Sequence, residues 1–145
     1  MDVTRIDQVG IAVEDLDAAL DLYARAFGLR PASREVVDSD GVEEAMLDVG
    51  GVRLQLVAST RPDSPIDRFL DRRGPGLHHL GLAVADLDAT LEHLRAEGVE
   101  LIDEEPRAGG GGHRIAFVHP RSTGGVLIEL IEDPAATVPS AAAGD

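Results

Sequence analysis

Four polar side chains stand where half-buried strands usually place small or apolar residues: Gln8, Gln55, His79 and Glu129. Together they offer one imidazole, one carboxylate and two amide oxygens, a donor set that suits a divalent metal with open positions for substrate. Each alone has a plainer meaning. A single His on a strand is usually a satisfied or exposed residue, and a Gln between leucines usually a solvated one. Glu129 resists that reading, because it interrupts VLIELI (126–131) and burying a lone carboxylate costs several kcal/mol unless it is paired or metal-bound.

An internal repeat groups the four. Residues 6–20 read IDQVGIAVEDLDAAL and residues 77–91 read LHHLGLAVADLDATL, in register through G-[IL]-A-V-x-D-L-D-A-x-L. In each copy a strand alternates and then gives way to helical spacing. Val9, Ile11 and Val13 alternate with Gln8, Gly10 and Ala12. Leu80, Leu82 and Val84 alternate with His79, Gly81 and Ala83. The apolar sets must face the helices, so the other face carries one polar residue followed by two small ones and leaves space beside it. The helices, with Leu16, Leu20, Tyr23 and Phe27 in one and Leu87, Leu91 and Leu94 in the other, stop at Gly28 and Gly98.

Three strands are expected after each helix: 33–38, 43–49 and 52–58, then 99–103, 113–118 and 125–131. Gly50-Gly51 and Gly124-Gly125 form the turns. The last strands correspond, VRLQLV (52–57) to VLIELI. Their leucines and isoleucines face the core and leave Gln55 and Glu129 on the opposite face. His78 points away from His79 by the same parity. His93 and His119 are expected at the surface. The pattern predicts an α+β fold of two pseudo-symmetric βαβββ modules whose curved mixed sheet surrounds a concave metal site. The limits are about 4–58 for module one, 59–75 for a connector with a short helix near 66–72, and 76–133 for module two. They form a single domain over 1–133, and an Ala- and Pro-rich tail at 134–145 is expected to be disordered.

Composition removes several classes of function. There are 27 acidic and 13 basic residues, for a formal net charge of −14, so no extended basic footprint exists for nucleic acid or anionic membranes. Cysteine is absent, which excludes disulfides and thiolate chemistry. All the basic residues are Arg, which excludes Schiff-base lysines. No apolar run reaches the ~20 residues that span a bilayer. A cytoplasmic protein is expected.

Longer segments carry a family resemblance: RIDQVGIAVEDLD, GVEEAML (41–47), LQL (54–56), GPGLHHLGLAVADLDA (74–89), EEPRAGGGGHRIAFVHP (104–120) and GVLIELIE (125–132). Over residues 4–132 the chain resembles the vicinal oxygen chelate (glyoxalase/bleomycin resistance/dioxygenase) superfamily, and within it the methylmalonyl-CoA epimerase branch. That resemblance implies epimerisation of an acyl-CoA, methylmalonyl-CoA or a close 2-substituted malonyl-CoA, through an enolate stabilised by a divalent metal. Co2+ is expected first, with Zn2+, Mn2+ or Ni2+ as alternatives. It implies metal ligation by Gln8, Gln55, His79 and Glu129, and a homodimer. It also implies acid/base roles for Glu44 and Glu129, one on each face of the substrate. By parity Glu44 shares a face with Met46, while Ala45 and Leu47 face the core. Gly111 and Gly112 are expected near substrate, and Arg107 and Arg114 are expected to meet its anionic groups.

The chain departs from the branch at one ligand. Gln8 stands where the branch usually has His, which leaves His79 as the sole nitrogen ligand and weakens binding of zinc- or cobalt-like metals. Two other functions stay open at this level. A glyoxalase I-type isomerase also uses a Gln at that position, but Gln55 replaces one of its carboxylates. A non-catalytic small-molecule binding module would need no metal.

Overall fold

The structure is a computed structural model that describes residues 3–135. The elements follow the repeated order: β1 (Val3–Ala12), α1 (Leu16–Phe27), β2 (Pro31–Val37), β3 (Val42–Val49), β4 (Val52–Ser59), α2 (Pro65–Arg73), β5 (Gly76–Val84), α3 (Leu87–Ala96), β6 (Arg107–Ala108), β7 (Arg114–Val118) and β8 (Ile128–Glu132). Residues 134 and 135 form a turn, and the rest of the expected tail lies outside the described residues. No helix among them is long and apolar enough to cross a membrane.

The described chain divides into two compact units, residues 8–79 and residues 3–7 with 80–135. These limits differ from those of the repeat because strand pairing, not sequence similarity, decides them. Residues Gln8–Ala12 of β1 pair in parallel with Arg53–Val57 of β4. Residues Leu80–Val84 of β5 pair in parallel with Ile128–Glu132 of β8. The first residues of β1 and β5 thus belong to a different unit from the rest of the same strand.

In the unit of residues 8–79 the strands run β2-β3-β4-β1, with β3 antiparallel to both β2 and β4. Leu16, Ala45, Leu47 and Leu56 are buried in one cluster with Ile11, Leu20 and Tyr23 against it. Ala12, Val42, Val57 and Ile66 form another beneath α2. In the second unit the order is β5-β8-β7-β6, and Val84, Leu87, Leu91, Ala116 and Leu130 make the core.

The repeated D-L-D has the same mechanical use in both units. Its first Asp is the N-cap: Asp15 accepts from Ala18 N–H and Asp86 from Ala89 N–H, each at 3.0 Å. Its second Asp binds an arginine from the sheet. Asp17 holds Arg34 at 2.7 Å, and Arg34 holds Glu43 at 2.9 Å. Asp88 holds Arg114 at 2.9 Å, and Arg114 holds Glu132 at 3.1 Å. Each helix start is thereby tied to two strands.

The expected strand 99–103 is a correction. Only Leu101 bridges, to Val118, and the edge strand is Arg107–Ala108 on β7. The Asp103 side chain accepts the Phe117 N–H at 2.8 Å, so a carboxylate takes the place of a neighbouring strand carbonyl. The last strand also starts later than expected, at Ile128, because Pro120–Ser122 winds into a 3-10 turn that runs into Gly124 and Gly125 at positive φ.

Candidate active site

The strands of the unit of residues 8–79 bring Gln8, Glu44, Gln55 and His79 into one hydrogen-bonded line. All four are buried. Register explains why. Glu44 lies opposite Val57, and Gln55, two residues back on β4, is its diagonal neighbour on the same face. Gly10 lies beside Gln55 in the parallel pair, so Gln8 is again a diagonal neighbour. Glu44 and its sequence neighbour Glu43 part company by strand alternation. Glu43 shares the helix-facing side with the fully buried Ala45 and Leu47, and there it pairs with Arg34.

The direction of each hydrogen bond follows from one end of the line. A carboxylate can only accept, so Gln55 presents its Nε2 to the Glu44 carboxylate. That leaves Gln55 Oε1 to accept from Gln8 Nε2 at 3.0 Å. The same Gln8 nitrogen is 3.1 Å from His79 Nε2. Gly10 makes room for the ring: a Cβ there would come within 2.1 Å of His79 Cε1.

His78 extends this line through its ring nitrogen, a contact that strand parity does not register. Its Nδ1 is 2.9 Å from His79 Nδ1, and its ring meets Phe69 of α2 edge-on with centroids 4.9 Å apart. Burial, and after it the adjacent His79, push the His78 pKa down from 6.5 to about 4, so its ring is neutral.

The donor types fit a divalent cation. Gln55 Oε1 and His79 Nε2 both direct a lone pair at one point, the Gln8 amide nitrogen, which stands there as a neutral hydrogen-bonding substitute. For Gln8 to ligate through oxygen, its amide must turn over and draw back. Glu129 is buried on β8 of the other unit, between Gly81 of β5 and Phe117 of β7 in register.

The remaining candidates lie in that second unit. Arg107 pairs with Asp103 at 3.1 Å, and its guanidinium lies 5.6 Å from the centre of the Phe117 ring, the residue opposite Glu129. Arg114 is engaged by Asp88 and Glu132, which raise its pKa further. Asp86, Asp88 and Glu132 form an acidic cluster within 4.8 Å, and the Arg114 guanidinium supplies its cation. Gly111 and Gly112 adopt positive φ in a short 3-10 turn before β7. His93 is exposed, and His119 is half-buried and caps the turn at Arg121 N–H.

The chain belongs to the glyoxalase/bleomycin resistance protein/dioxygenase superfamily, whose family model matches residues 7–117. Its fold is the vicinal oxygen chelate fold of two βαβββ modules. Within that superfamily the similarity runs to methylmalonyl-CoA epimerases. A variant of the Streptomyces coelicolor methylmalonyl-CoA epimerase in complex with 2-nitronate-propionyl-CoA superposes with a TM-score of 0.89 at 40% identity. The match covers 95% of this chain and 100% of that one. The human mitochondrial methylmalonyl-CoA epimerase is 31% identical over 127 residues, 87% of this chain and 72% of its own. The uncharacterized protein YqjC of Bacillus subtilis is 39% identical over 130 residues, 90% of this chain and 93% of its own.

Proposed function

We propose that this chain is an isomerase that interconverts the (R) and (S) forms of methylmalonyl-CoA or a close 2-substituted malonyl-CoA. The observation that carries the reading is Glu44, a buried carboxylate fixed by Gln55 at one end of the line that reaches His79. The similarity to epimerases of this substrate supports it.

The α-carbon between a thioester and a carboxylate is acidic enough for a carboxylate base to deprotonate when the enolate charge is stabilised. Glu44 removes that proton. Gln55 holds one carboxylate oxygen, fixing the base without neutralising it. Inversion requires a second group on the opposite face of the enolate, and that role is assigned to Glu129. A divalent metal held by Gln8, Gln55, His79 and Glu129, with cobalt as first choice, would act as a Lewis acid toward the developing negative charge. Arg107 and Arg114, with the Gly111-Gly112 turn, are assigned to the anionic groups of the acyl-CoA. A homodimer completes the reading and rests on the family resemblance alone.

The test is incubation of the protein with methylmalonyl-CoA in deuterium oxide, with and without cobalt, and mass spectrometry of α-deuterium incorporation. Exchange above the nonenzymatic rate is expected, and it should be faster with the metal. No exchange under either condition removes the function.

A further inference from the structure

We infer that His78 is a positioning residue for His79: it accepts the Nδ1–H of that ring and so keeps the His79 Nε2 lone pair aimed at the site. The assignment follows from the chain of donors. Glu44 accepts from Gln55, Gln55 Oε1 accepts from Gln8, and the Gln8 amide nitrogen therefore faces His79 Nε2 with a hydrogen to give. Nε2 then accepts, and a ring that carries a single proton holds it on Nδ1. The atom 2.9 Å from Nδ1 is His78 Nδ1, which must accept.

The support is rigid as well as polar. The His78 ring stands edge-on to Phe69, at 87° between planes, and is at 88° to the His79 ring. Phe69 is half-buried on α2. The helix therefore sets His78, and His78 sets both the tilt and the tautomer of His79. An outer partner of this kind orients a ligand histidine and raises its basicity. What His79 does in the reaction rests on the function proposed above, whereas its tautomer does not.

The test is long-range proton–nitrogen NMR of the full-length, metal-free protein, read well above the ordinary histidine pKa of about 6.5. Wild type, His78→Asn and His78→Phe are compared. Asn offers an oxygen where His has Nδ1, and Phe keeps the packing against Phe69 but offers no acceptor. The wild type and His78→Asn should hold His79 in the Nδ1–H tautomer. His78→Phe should show a mixture and bind cobalt about 10–100-fold more weakly. An Nε2–H tautomer in the wild type, or an unchanged tautomer in His78→Phe, overturns the inference. The expected tautomers in a protein with no exchange activity would uphold the positioning and remove only the proposed function.

Discussion

Gly10 and His79 are in direct steric contact across the sheet: a Cβ on Gly10 would lie 2.1 Å from Cε1 and 2.3 Å from Nδ1 of the imidazole. Both distances are far inside van der Waals contact, and the obstacle is a buried ring with hydrogen bonds on both nitrogens. Gly10→Ala should therefore leave the fold intact at a cost of about 1–3 kcal/mol, while displacing His79. A displacement of the order of 1 Å predicts a loss of about 100-fold in α-proton exchange. Exchange at the wild-type rate in this variant would show that the ring position does not matter.

Glu44→Gln keeps the size of the side chain and can still bond Gln55, so folding and metal content should not change. Without a base, deuterium incorporation should fall by about 100-fold or more. Unchanged incorporation would remove Glu44 from the chemistry.

Glu129→Ala tests the ligand set. After growth with cobalt, the wild type should retain stoichiometric metal and this variant should lose it, as measured by elemental analysis. Retention of the metal would take Glu129 out of the set.

The helix caps make a prediction about stability alone. Asp15→Ala and Asp86→Ala each remove the side-chain acceptor of one helix start. Each should cost about 1 kcal/mol in urea unfolding. Because neither residue belongs to the site, substrate exchange should not fall with either. A drop in activity would contradict a purely structural role for the repeated D-L-D.

Much of this was legible in the residues, for identifiable reasons. Strand alternation separates Glu44 from Ala45 and Leu47, and the structure buries the latter two in the core beneath α1. Gly28 and Gly98 follow their helices at φ 70° and 80°, as stop signals should. Gln8 and Gln55, two of the proposed ligands, meet because diagonal neighbours on one face meet.

The misses are equally physical. Parity gives the direction of a Cβ but not where a ring nitrogen reaches, so the contact between His78 Nδ1 and His79 Nδ1 does not show in the alternation. The strand expected at 99–103 failed because Asp103 bonds the Phe117 N–H itself, a competition of side chain with backbone that periodicity does not register.

Val49 and Val52 face each other across Gly50 and Gly51, both at positive φ, in the two-residue turn that joins β3 to β4. The count of two sets the reading frame of β3. One residue more or fewer would exchange the faces of Glu43 and Glu44, and with them Ala45 and Leu47. The carboxylate paired with Arg34 would then lie on the face of Gln55 without that partner, and the base would turn to the side that packs against α1. This turn should therefore tolerate changes of residue far better than changes of length, and any change of length should come in pairs.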